Sequence, residues 1–83
     1  MRLKRFKIVN YHYDPNYDSV NIYLGRAASF YSDEKSNGIY IIRDDKDDKI
    51  IGVEILDFSS RTKKSIKKAL PRGYKNIVDK IHI

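Results

Sequence analysis

Eighty-three residues carry 17 lysines and arginines against 11 aspartates and glutamates, a formal net charge of +6. The chain has no cysteine, which excludes disulfides and thiolate metal sites, and its two histidines, His12 and His82, cannot build a zinc site alone. A chain this short buries only about 60–65% of its unfolded surface, so one domain with a marginal core is expected, with self-association, a dimer above all, as the remaining staple.

The basic opening, residues 1–7, is not followed by an apolar run and does not read as a signal peptide. No stretch approaches the roughly 18 apolar residues of a membrane span, so a soluble, cytoplasmic protein with no membrane span is expected. Residues 6–13 are rich in β-formers and predict a strand. Asp14-Pro15-Asn16-Tyr17-Asp18 predicts a turn, because Pro15 presets φ and the Asp14 carboxylate can accept from amides two residues on. Residues 20–24 predict the second strand, closed by Gly25. Pairing Tyr13 with Ser19 puts Lys7, Val9, Tyr11, Tyr13 and Tyr23 on one face of this hairpin. Phe6, Ile8, Val20, Ile22 and Leu24, interrupted by Asn10 and His12, form the other, which is the better core face.

In residues 26–38, Ala28 to Tyr31 suits a short strand, and the polar stretch from Asp33 ends in Asn37-Gly38, a turn signal. Residues 39–43 predict a strand, residues 44–48 an acidic turn and residues 49–58 the longest strand. A hairpin centred between Lys46 and Asp47 puts Tyr40, Ile42, Ile51, Val53 and Ile55 on one face. Ile39, Ile41, Ile50, Gly52, Glu54 and Leu56 take the other. Both faces are then apolar and both need cover, one from the C-terminal helix and one from a second subunit.

Ser59 or Ser60 suits a helix N-cap, with the helix running to about Leu70 and stopping at Pro71. Thr62, Ile66, Ala69 and Leu70 share one side, and Lys63, Lys64, Lys67 and Lys68 the other. Tyr74, Ile77, Val78 and Ile81 have helical spacing and predict a short second helix, although Ile77, Asp79, Ile81 and Ile83 also alternate as an edge strand would. The expected fold is α+β: an antiparallel sheet of four to five strands (two β-hairpins) with one or two C-terminal helices. Residues 1–60 form the body, and residues 61–83 form a basic tail packed on the same domain.

Charge is segregated along the chain. Residues 61–83 hold eight basic residues against Asp79 alone, a net of +7, whereas residues 8–60 hold five basic residues against ten acidic ones, a net of −5. Clustered charge of one sign makes a directed field. Lys63, Lys64, Lys67, Lys68, Arg72 and Lys75 are therefore candidate contacts to nucleic-acid phosphates, with salt-sensitive, sequence-independent affinity. The plainer reading is a solvated helix face, and an acidic protein or a membrane surface are other possible partners. Tyr11, Tyr13 and Tyr23, with Lys7, suggest a stacking platform for single strands, or more simply a half-buried aromatic layer.

The segment from Asp44 to Asp48 invites a calcium reading, but Lys46 and Lys49 occupy ligand places and no glycine follows, so an ordinary acidic turn is expected. Asp14 and Asp18 are candidate paired carboxylates that more simply cap backbone amides. Glu54 in mid-strand reads as a structural carboxylate, and His12 beside Val20 and Ile22 as a core histidine. Nothing assembles a nucleophile, a base and an orienting group, so no catalysis, cofactor or metal site is expected.

The segment from Tyr13 to Leu24, Tyr-Asp-Pro-Asn-Tyr-Asp-Ser-Val-Asn-Ile-Tyr-Leu, resembles the opening of a small prokaryotic family, domain-of-unknown-function family 2283. Gly38-Ile39-Tyr40-Ile41-Ile42-Arg43-Asp44 and Ile50-Ile51-Gly52-Val53-Glu54-Ile55-Leu56-Asp57 resemble its close, so the resemblance covers roughly residues 8–60. Asn21-Ile22-Tyr23 shifts the family's usual Tyr-Ile pair, and the basic tail extends beyond the common domain. The resemblance implies a small β-rich domain without assigned catalytic residues, and an antitoxin-like interaction role. The expected function is a small non-catalytic binding protein contacting nucleic acid or another polyanion through its basic helix. The alternatives are the antitoxin-like module and, last, an uncharacterised enzyme.

Overall fold

A computed structural model describes residues 10–23, 25 and 27–81. The expectations placed on Phe6, Lys7, Ile8, Val9, Leu24, His82 and Ile83 lie outside the described residues. Five strands form one antiparallel sheet in the order β1-β2-β5-β4-β3: β1 Asn10–Asp14, β2 Ser19–Tyr23, β3 Phe30–Ser36, β4 Ile39–Asp44 and β5 Ile50–Ile55. Strands β1 and β2 form a hairpin. Strands β3, β4 and β5 form a three-strand meander whose last member returns to pair with β2. The α+β class holds, while the expected pair of hairpins is replaced by a hairpin and a meander.

Strand β3 accounts for most of that difference. It runs through Asp33, Glu34 and Lys35, a stretch whose polarity predicts a turn, and every one of its residues is exposed. Charge is tolerated there because β3 is an edge strand paired only with β4. The Asn37-Gly38 turn signal is correct: Gly38 takes φ +82, a conformation that glycine adopts without strain.

Two local features set which side chains face the core. In the first hairpin Asp14, not Tyr13, stands opposite Ser19, so Tyr13 pairs with Val20, Tyr11 with Ile22 and His12 with Asn21. In the second, Arg43 pairs with Ile50 as expected, but Ile42 pairs with Gly52 and Ile41 with Val53. Ile51 is the extra residue of a β-bulge, and beyond it every side chain of β5 changes partners by one. Since side chains alternate with period two, a slip of one residue exchanges the faces. The result is a continuous apolar patch of Val20, Ile22, Ile39, Ile41, Val53 and Ile55, all buried, on a face that carries the paired Asp33 and Arg43 toward its β3 edge.

The C-terminal segment covers that face. A 3-10 turn over Phe58–Ser60 leads to α1, Lys63–Ala69, then a second 3-10 turn, Arg72–Tyr74, and the short α2, Lys75–Val78. The N-cap of α1 is Thr62 rather than Ser59 or Ser60: its Oγ1 accepts from the Ser65 amide at 3.1 Å. Leu70 ends the helix before Pro71, as the sequence predicts. Phe58, Ile66, Leu70, Tyr74, Val78 and Ile81 complete the buried core, and Ile77 packs against it. Fully burying each large apolar side chain contributes about 1.5–3 kcal/mol, so this helix layer adds substantially to the stability of the sheet. Among the described residues, no helix is long and apolar enough to cross a membrane.

Candidate polyanion-binding surface

Because α1 and α2 turn their apolar stripes to the sheet, their charged sides face outward. Lys63, Lys64, Lys68, Arg72 and Lys80 are exposed, and none of them forms an ion pair with a described residue. Two of the six proposed contacts are instead engaged within the helix layer. The Lys67 ammonium meets the Asp79 carboxylate at 2.8 Å. Lys75 Nζ donates to the Lys67 carbonyl, which also accepts the Leu70 amide at the end of α1. The Lys67 hydrogen bond, aided by the charges of Lys67 and Lys63, holds the Asp79 carboxyl below its usual range. The lone acid of the tail is thereby paired at the surface of the layer, and Lys63, Lys64, Lys68 and Arg72 are exposed cations without an ion pair to a described residue.

The proposed tyrosine platform does not form. Tyr11 and Tyr13 lie on the helix side of the sheet, opposite Ile22 and Val20, whereas Tyr23 pairs with Gly52 and lies on the other side. The physical reason is the one-residue difference in the β1–β2 register. The Tyr13 hydroxyl donates to Asp18 Oδ1 at 2.9 Å, and its ring meets Phe58 edge-on with centroids 6.4 Å apart. The hydroxyl pKa is raised, first because Asp18 accepts its proton in a hydrogen bond. The Tyr11 hydroxyl donates to the Lys80 carbonyl at 3.2 Å, which puts Tyr11 beside the cationic tail and away from Tyr23.

The remaining candidates resolve into structural roles. Asp14 Oδ1 accepts from the Asn16 amide at 3.0 Å, and Asp18 accepts from Ser59, so the two carboxylates cap separate groups. In the acidic turn, Asp44 accepts from the Lys46 amide and Asp47 from the Lys49 amide. Asp48, at φ 63, accepts from the Tyr31 hydroxyl at 2.7 Å, and that hydrogen bond raises the tyrosine pKa. These are the self-bonded turns for which aspartate is suited. Arg61 is also structural, donating to the carbonyls of Leu56 at 2.6 Å and Asn37 at 2.7 Å. His12 is a correction: it pairs with Asn21, is exposed, and lies on the face away from the core.

That second face carries a feature the sequence reading missed. His12, Asn21, Glu54, Tyr40 and Glu34 stand in successive cross-strand register, a polar row spanning all five strands. Beside it runs an apolar groove of about 660 Å³, walled by Tyr23, Phe30, Ile42 and Ile51. The face expected to be apolar is thus part polar and part groove. Alternation within each strand would have revealed the row only with the Ile51 bulge known.

Neither curated proteins nor solved structures yield a match to this chain. A family model described as "Protein of unknown function (DUF2283)" matches residues 10–59, the five strands and the turn that follows them, and the chain belongs to that family.

Proposed function

We propose that this protein binds a polyanion, nucleic acid foremost, through the outward side of its helix layer, without catalysing a reaction. Lys63, Lys64, Lys68 and Arg72 make the contact. The observation that carries this reading is the state of the tail's charges: Asp79 pairs with Lys67, and none of these four exposed cations forms an ion pair with a described residue, although the charge of Lys63 also acts on Asp79. A helix face built only for solubility would interleave both signs in i, i+4 pairs. The cations neutralise backbone phosphates, so affinity is expected for DNA and RNA duplexes alike. Tyr11, next to Lys80, is the one aromatic of the former platform that borders this surface.

Fluorescence anisotropy with a random-sequence 20-base-pair duplex at low salt tests the reading. The wild-type chain is expected to bind, and the fourfold charge reversal K63E/K64E/K68E/R72E to lose binding. Absence of binding by the wild type, or equal binding by the variant, removes the reading. Self-association belongs to the same proposal on the argument of chain size alone, and sedimentation equilibrium at binding concentrations decides it.

A further inference from the structure

The open face of the sheet lies opposite the cationic helix layer. Its groove starts at Glu54 and Asn21, neighbours across β5 and β2, and runs over Gly52 and Ile51 toward Phe30. Gly52 forms its floor for a definite reason. A Cβ there would stand 2.9 Å from the Ile22 carbonyl oxygen, so the close backbone approach excludes a side chain. The cross-strand partners of Gly52 are Tyr23 and Ile42, and the missing side chain leaves a trough between them.

The walls are apolar and aromatic, with Phe30 62% exposed and Tyr23 49% exposed, a large apolar display for a small domain. The volume, about 660 Å³, lies in the range of small-molecule sites. Glu54 is the one carboxylate lining the groove among the described residues. It is half-buried and forms no ion pair with a described residue, and the Asn21 amide and the Tyr40 hydroxyl stand on either side of it as further acceptors. A partly buried carboxylate beside an apolar wall is stabilised by a cation that reaches it along that wall.

We infer that the groove binds a small organic cation: a primary ammonium that pairs with Glu54, on an apolar stem lying over Gly52 between Tyr23, Ile42 and Phe30. The distance from Glu54 to Ile51 is three strand residues, about 10 Å, which suits a stem of four carbons ending in a ring. The aromatic walls suit the ring that ends the stem, since aromatic pairs pack favourably.

The test is a titration of the isotope-labelled full chain, followed by amide chemical shifts, with 4-phenylbutylamine and with its neutral analogue 4-phenylbutan-1-ol. The amine is expected to move the amides of Asn21, Tyr23, Ile42, Gly52 and Glu54, and to bind about fivefold more tightly than the alcohol. In Glu54→Gln, which keeps size and hydrogen bonding, the two probes are expected to bind equally. Equal binding of both probes to the wild-type chain, which needs no variant, overturns the inference. So do shifts confined to the helix layer, the absence of any shift, or groove shifts that depend on protein concentration before a probe is added. The last result would assign the groove to a second copy of the chain.

Discussion

The carboxylate of Asp18 accepts from both donors of Ser59, 41 residues further along: the backbone N–H, shared between its two oxygens at 3.1 and 3.2 Å, and the hydroxyl, at 2.7 Å. The Phe58 amide donates to the Asp18 carbonyl at 2.8 Å, and the Tyr13 hydroxyl donates to the same carboxylate. Asp18 itself is left-handed, at φ 51. One residue of the first turn therefore fastens the hairpin to the bend from which the helix layer departs. That layer carries the proposed binding face, so the orientation of the cations depends on this joint.

Acid sensitivity follows from the joint. The Asp18 carboxyl lies below its ordinary value, first because the Ser59 hydroxyl donates to it, and Asp79 lies below its own because of Lys67. A carboxyl whose folded pKa is depressed stabilises the fold at pH above its unfolded value, about 3.9, and that contribution disappears as the pH falls through the folded value. Thermal melts by circular dichroism are expected to show Tm falling below about pH 4. Asp18→Asn is expected to lower Tm at neutral pH and to flatten the acid limb. An unchanged acid limb in that variant would remove Asp18 from the account.

Tyr74 gives a prediction of opposite sign. Its ring is 3% exposed, its hydroxyl finds no hydrogen-bond partner among the described residues, and burial pushes its pKa up to about 12. A buried hydroxyl without a partner costs free energy that an apolar ring avoids. Tyr74→Phe is expected to stabilise the fold by about 1 kcal/mol in urea denaturation. A loss of stability would show that the hydroxyl is satisfied.

Gly38 is the third position. Its positive φ disfavours any side chain, and an added Cβ would displace the Arg61 guanidinium from the Asn37 and Leu56 carbonyls. Gly38→Ala is expected to cost about 1–2 kcal/mol by the backbone term alone, and more with Arg61 displaced. Equilibrium urea melts of Gly38→Ala and Arg61→Ala, singly and together, would reveal the coupling as non-additivity.

Much of this architecture is legible in the chain. The Asn37-Gly38 turn, the stop at Leu70 before Pro71, and the apolar spacing of Tyr74, Val78 and Ile81 all appear where local chemistry puts them. Register is where sequence reasoning failed. The loop after Asp14 keeps Asp14 itself in the ladder, and the bulge at Ile51 restores a continuous apolar face that the unbulged hairpin would have divided. Both are one-residue effects decided by tertiary burial, which no local propensity encodes. They separated Tyr23 from Tyr11 and Tyr13, and they brought Glu54 into line with Asn21 and Tyr40. Strand β3 was hidden for a related reason: the edge position, not side-chain preference, makes Asp33 to Ser36 extended.

The salt dependence of duplex binding tests the central claim most directly. Four exposed cations that each neutralise one phosphate predict that log K falls against log salt with a slope of about −3 to −4 on B-form DNA. The fourfold charge reversal should abolish binding, and single reversals should each reduce the slope by about one. A flat salt response, or single reversals at Lys63, Lys64, Lys68 and Arg72 that leave the slope unchanged, would contradict the assignment of the helix layer as the binding surface.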